Sequence, residues 1–323
     1  DAAAASMSHV AWDGFAHHDT IFPLFLFIAG VSFPYSVAKQ RAGGMSEGRI
    51  YAKIVRRGLT LVVLGMVYNG LFKLDFENLR IASVLGRIGL AWSIAAVLYL
   101  NFGVKTRAAI AVAVLAGYGA LSALVAAPDA AGAGPLTFEG NLAGYIDRQF
   151  LPGKLIYGSF DPEGLLSTVP AVVTAMLGMF TGEFVRRSDI RGGRKTLWMA
   201  AAAAALLAAG LAFSGVLPVN KKLWSSTFVC VVGAYSLGMF ALFYYLIDVR
   251  GWRRWTLFFR VVGLNSITIY LAQRIVGFGR ISDFFLGGIA SKCPEAVAAV
   301  ISSAGYVAVC WLFLYFLYRK NVF

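Results

Sequence analysis

The sequence predicts an all-α fold, a polytopic transmembrane helical bundle, and three observations carry that reading. Of 323 residues, 59% are hydrophobic and 14% charged, with a mean hydropathy of +0.71; soluble domains carry about 25% charged residues. Nine stretches are apolar over roughly the 20 residues that a helix needs to cross the hydrocarbon core. They are built of Ala, Leu and Gly, and none alternates apolar with polar residues as a barrel strand does.

The first span, 20–38, follows SHVAWDGFAHHD, a stretch that holds all three histidines, His9, His17 and His18, together with Asp13 and Asp19. A basic loop with Lys39, Arg41, Arg49, Lys53, Arg56 and Arg57 leads into the second span, 55–73. The next loop is mixed, with Asp75, Glu77 and Arg80, and the third span, 81–101, carries Arg87 about two turns in. A fourth span covers 108–127. The longest non-membrane connection, 128–164, opens with PDAAGAGP and ends in YGSFDPEGLLSTVP, where Asp161 is expected to cap the start of the fifth span, 165–184. A connection with Arg186, Arg187, Arg191, Arg194 and Lys195 precedes the sixth span, 196–214, and the seventh covers 225–247. After Arg250, Arg253 and Arg254 comes the eighth, 257–276, with Asn265 and Ser266 near its middle. A loop, 277–296, is expected to fold over the same face as 128–164, and the ninth span, 297–318, ends before Arg319 and Lys320.

The net charge of +13 is sorted by topology, which argues against a nucleic-acid partner. Basic residues fill every second loop, the positive-inside pattern. Residues 1–19 and the loops 128–164 and 277–296 are therefore expected outside, and the C-terminus in the cytoplasm. DAAAAS lacks the basic start and apolar run of a signal peptide. An outside N-terminus asks for one crossing before Asp1, which would make ten helices. The whole of 1–323 reads as a single membrane domain. Short loops and the absence of an N-x-S/T sequon point to a bacterial inner membrane.

Polar groups within spans are costly unless they face a cavity or a partner. Asp19, Arg87, Asn69, Asn265 and Ser266 qualify, and His9, Arg80, Asp161 and Glu163 extend them outward as a polar column. Arg87 would otherwise snorkel or pair with a carboxylate, and Asn265 would hydrogen-bond a neighbouring helix. His9 can accept a proton near neutral pH, with Asp19 placed to orient it and Trp12 nearby. A metal at His17 and His18 with His9 and Asp19 is disfavoured, because adjacent histidines on one helix diverge. Cys230, Cys293 and Cys310 offer neither a disulfide pair nor a C-x-x-C spacing.

At these residues the sequence resembles the heparan-α-glucosaminide N-acetyltransferase family. The pattern H-x-x-W-x-G-x4-D-x-x-F-P is met by His9, Trp12, Gly14, Asp19, Phe22 and Pro23. FLFIAGVS continues it, and RRGLTLVVLG, LRIASVLGRIGL, DPEGLLST and GLNSITIYL follow in order. Gly86 stands where the family often has Gln, and Ala82-Ser83 replaces Pro-Gly. The family's first helix, with its Asp-x-x-Arg-Gly signature, has no counterpart here.

The resemblance implies acetyl transfer from cytosolic acetyl-CoA, a co-substrate, to an amino sugar or glycan across the bilayer, with no metal. His9 would be base or acetyl acceptor, with Asp19 beside it. Trp12, Arg80, Arg87, Asp161 and Glu163 would hold the acceptor. Arg56, Arg57 and Arg260 would meet the nucleotide phosphates, with Asn265 and Ser266 along the coenzyme arm. The resemblance also leaves room for a homodimer. Two other activities share the pattern: an amino-sugar (N-acetylglucosamine) transporter, although no pair of broken helices is legible, and an O-acetyltransferase of envelope polysaccharide. A non-catalytic scaffold suits the clustered polar residues least.

Overall fold

The computed structural model describes residues 10 and 12–322, so His9 lies outside the described residues. Among them are twelve α-helices and no strand, only the isolated bridges Arg80–Gly153 and Ala126–Asn141. The chain divides into two compact units, the first ending at Val249 and the second running over Arg250–Phe323.

The first unit holds α1 (Ile21–Ala42), α2 (Glu47–Tyr68), α3 (Val84–Asn101), α4 (Val104–Leu124), α5 (Leu142–Phe150), α6 (Leu165–Arg186), α7 (Gly192–Ala212) and α8 (Ser226–Tyr244). A 3₁₀ turn, His17–Thr20, leads into α1, and a π-turn, Tyr245–Val249, continues α8. The central helix, α6, packs along α1 and also meets α3, α4, α5 and α8. Glycines make the α1–α6 contact close. A Cβ at Gly178 or Gly182 would overlap the carbonyl of Phe27 or Val31, and one at Gly30 would overlap that of Ala175. The 178–182 spacing is the small-xxx-small rule of membrane helices, which lets backbones approach where no hydrophobic force drives association. Gly89 does the same between α2 and α3, where a Cβ would sit 2.6 Å from the Gly58 carbonyl.

Outside this packing the helices show a bare apolar surface. Phe25, Leu59, Leu124, Leu197, Trp198 and Leu211 are all exposed, which in a bundle of this composition is surface facing lipid. Among the described residues seven helices are long and apolar enough to cross a membrane, and all nine expected stretches fall on helices.

Two stretches differ from expectation. The second begins earlier, at Glu47, because about two further turns carrying Glu47, Arg49 and Lys53 extend it, and with Arg56 and Arg57 that charged end leaves it less apolar than the seven. The eighth is broken. In the second unit, α9 (Thr256–Leu264) stops at Asn265, whose φ of −119° and ψ of 24° leave the helical region, and α10 (Ser266–Ile275) restarts there. The expected loop 277–296 is corrected as well. It contains α11 (Phe278–Ala290), which packs on α12 (Glu295–Arg319) where Gly305 meets Ser282 and Leu286. Its apolar FGRISDFFLGGIA sequence supports a helix with a face to bury against α12.

The connections of the first unit sort to opposite ends. At one end Arg41 pairs with Glu47, Arg107 with Glu183, and Arg186 and Lys195 cap the Pro34 and Val185 carbonyls. At the other end 10–20, 69–83, 125–164 and 213–225 interlock. Gly14 N donates to Val219 O at 2.9 Å, Trp12 Nε1 to Leu136 O at 2.9 Å, and Lys154 N to Leu79 O at 3.1 Å.

Candidate active site

Burying a charge costs free energy unless it is paired and hydrogen-bonded, and the interlocked end buries several. Arg80 is held from behind: Asn69 Nδ2 donates to the carbonyls of Arg80 and Ala82 at 2.8 and 2.9 Å. Ser83 then caps α3, its hydroxyl accepting from Gly86 N at 3.0 Å. The donor there is the Gly86 backbone N–H, so Ser83 is the side chain that makes this cap.

Thus fixed, Arg80 grips Asp161 in a fork, with Nε and Nη2 each 2.7 Å from a carboxylate oxygen, and also meets Glu163. Burial works against the Arg80 charge, but the two carboxylates outweigh it and hold the guanidinium more firmly protonated than usual. Asp161 is fully buried and also accepts from Glu163 N at 2.9 Å and Ile156 N at 3.3 Å.

Asp161 was expected to cap α6 and does not. Leu165 N donates instead to Asp147 Oδ1 at 2.9 Å, because α5 carries that carboxylate to the helix start. Gly164 has no Cβ to block it. Asp147 is fully buried and its second oxygen has no partner among the described residues. Burial, with Asp161 nearby, pushes its pKa up to about 7 against the pull of backbone N–H groups and Arg87.

Arg87 is 2% exposed. It donates to the Pro162 carbonyl and Ser167 Oγ and lies over the Trp224 ring at 4.9 Å, and its Nε has no partner among the described residues. Its neighbours in hydrogen-bond reach are thus a carbonyl and a hydroxyl, not the carboxylate that a simple ion pair would use. Trp224 takes a left-handed φ of 51°, uncommon for so bulky a residue, and donates Nε1 to Thr174 Oγ1 at 3.2 Å.

Asp19, 2% exposed, accepts from Ala16 N at 3.1 Å and from Lys221 Nζ at 3.1 Å. Asp13 accepts from Asn220 Nδ2 at 3.0 Å. Trp12 packs edge-on against Phe138 and Phe160.

The fold therefore brings Trp12, Asp19, Arg80, Arg87, Asp161 and Glu163 to one end of the first unit. It does not bring Arg56 and Arg57 there. Arg57 lies over the Trp92 ring at 4.5 Å, eleven residues before Tyr68, or about 17 Å along α2. Arg260, Asn265 and Ser266 belong to the second unit. Arg260 lies over the Tyr318 ring at 5.6 Å. Asn265 is buried, and its Oδ1 has no partner among the described residues.

Sequence reading passed over Asp147, Ser167, Lys221, Lys222 and Trp224. Two adjacent lysines in PVNKKLW, in a loop that the alternation of basic loops puts on the outer side, run against the positive-inside pattern and are the available signal. No group of three or more His, Cys, Asp or Glu side chains fit for a metal occurs among the described residues.

Residues 2–215 match the sequence model of the heparan-α-glucosaminide N-acetyltransferase catalytic family. Human heparan-α-glucosaminide N-acetyltransferase is similar at 27% identity over 372 aligned positions, covering 98% of this chain and 55% of the relative. The mouse protein of that name is similar at 26% over 369 positions, covering 98% and 56%. The chain spans about half the length of these curated relatives.

Proposed function

This chain belongs to the heparan-α-glucosaminide N-acetyltransferase family, and from that premise we propose that it moves an acetyl group from cytosolic acetyl-CoA to the amino group of a glucosamine-type sugar on the extracytoplasmic side. The observation that carries this reading is the buried polar system at one end of a lipid-facing bundle: Arg80 on Asp161 and Glu163, and Arg87 on the start of α6.

Acetyl-CoA supplies an acyl thioester. The amine nitrogen attacks its carbonyl carbon, the C–N bond forms, the C–S bond breaks, and the coenzyme leaves as a thiolate that finally takes up the proton given up by the amine to become its thiol. His9 takes the proton released from the amine. Alternatively its imidazole accepts the acetyl first and passes it to the amine in a second step. Asp19 positions this chemistry from the entrance of α1. Arg87 carries the charge that develops on the carbonyl oxygen.

Arg80 takes both oxygens of Asp161 but only Oε2 of Glu163, so Glu163 Oε1 and Trp12 are the parts of the acceptor set to touch sugar, with Asp161 and Arg80 as their frame. The unpartnered Asn265 Oδ1 fits an amide N–H of the coenzyme arm, with Ser266 beside it. Arg56, Arg57 and Arg260 meet the phosphates at the basic face. The protein sits in a bacterial inner membrane with residues 1–19 outside and the C-terminus in the cytoplasm, and two copies form a homodimer.

The break at Asn265 favours a second reading, amino-sugar transport, because discontinuous helices build midplane substrate sites. One experiment separates the two. Purified protein in detergent is given radiolabelled acetyl-CoA and glucosamine, beside His9→Ala. Labelled N-acetylglucosamine from the parent and none from the variant supports the enzyme. Acetyl-CoA binding without product moves the acceptor to polysaccharide hydroxyls. Neither binding nor product leaves the transporter.

A further inference from the structure

Three aromatic rings and one ammonium group meet where the first segment crosses the long connection. Lys222 Nζ lies 4.5 Å from the Tyr157 ring centroid, 5.9 Å from Phe138 and 6.0 Å from Trp12. The rings brace one another: Trp12 meets Phe138 at 5.1 Å and 62°, and Phe138 meets Tyr157 at 5.6 Å and 76°. The fully buried Phe160 backs both Trp12, at 5.9 Å, and Tyr157, at 6.4 Å. Ring faces attract cations through their quadrupole, and such cages are how proteins hold ammonium ligands. Tyr157 is 44% exposed, so the cage is not closed over at that ring. The preceding residue, Lys221, sets its own ammonium on the buried Asp19. Consecutive lysines thus occupy the two features at this end, an aromatic cage and a buried carboxylate, that recognise an amine.

We propose that the Trp12–Phe138–Tyr157 cage is the entry subsite for the protonated amine of the acceptor sugar, and that Lys222 fills it as a tethered stand-in until the acceptor displaces it. The inference rests on the acetyl-acceptor reading above and adds to it the charge state that is recognised. An amine must shed its proton before it attacks a thioester, so the cage is a station ahead of the reacting position. Acetylation converts the ammonium into a neutral amide that the cage no longer attracts, and Lys222 then returns. Substrate is held and product is released by the same contact.

The test is equilibrium dialysis of the full chain in detergent with radiolabelled glucosamine and, separately, N-acetylglucosamine. Lys222→Met keeps the side chain's length and removes its charge, so glucosamine binds about fivefold tighter while N-acetylglucosamine is unchanged. Tyr157→Leu weakens glucosamine by a similar factor and spares N-acetylglucosamine, and Tyr157→Phe, which keeps the ring face, restores the parent value. The Tyr157 pair carries the test alone if Lys222→Met does not accumulate. Weaker or unchanged glucosamine binding in Lys222→Met overturns the proposal, as does an equal loss of both sugars in Tyr157→Leu. Charge-selective binding without acetyl transfer keeps the cage and sinks the acetyltransferase. Acetyl transfer without charge selectivity does the reverse.

Discussion

Arg80 and Asp147 show two ways of burying a charge. Arg80 has its partners, so removing it leaves Asp161 uncompensated. Arg80→Met is expected to cost about 3–5 kcal/mol, and adding Asp161→Asn recovers part of that loss. Thermal unfolding in detergent reads both, and additive losses in the double variant would show that the pair is not coupled. Asp147 has one oxygen satisfied and one not, and its pKa rises from 3.8 to about 7. The folded form therefore binds this proton more tightly than the unfolded chain. The stabilisation is complete below about pH 3.8 and is lost as pH rises through about 7. Between those limits the melting temperature of the parent should fall relative to that of Asp147→Asn. Parallel curves for the two proteins would rule out Asp147 as the titrating group.

Helix α6 is the element on which the first unit turns. Its glycines were legible only as residues, because close approach needs a second helix at the right height. Gly178→Leu drives a side chain into the Phe27 carbonyl, and a loss of at least about 3 kcal/mol is expected. Gly193→Ala, on α7 with open space around it, is neutral or stabilising by up to about 1 kcal/mol. Equal behaviour of the two in thermal unfolding would refute the packing argument. The α9–α10 break makes a different prediction. Asn265 is buried with an unused acceptor, which costs stability unless a ligand uses it. Asn265→Ala should keep or raise the melting temperature while acetyl-CoA binding weakens several-fold. A lower melting temperature with full binding would make the residue structural. Gly263, Asn265 and Ser266 stand together at the stop, but a helix tolerates each of them, so the apolar stretch 257–276 read as one continuous span.

For the molecule as a whole, charge sorting predicts sidedness, and Cys293, between α11 and α12, reports it. A membrane-impermeant maleimide added to intact cells should label the parent and not Cys293→Ser. Labelling only after the membrane is inverted would reverse the topology. Composition and periodicity by themselves determined the all-α membrane class and the position of nearly every long helix, because hydropathy and the bilayer's thickness act on one segment at a time. The ordered motifs likewise picked out Arg80, Arg87, Asp161 and Glu163 as a set. Only the tertiary structure decided who pairs with whom. Asp147 replaced Asp161 as the cap of α6 because α5 delivers it across 18 residues. Lys222 entered an aromatic cage drawn from segments far apart in the chain. Such pairings depend on which loops meet at one end of the bundle, a long-range property that no local window of sequence contains.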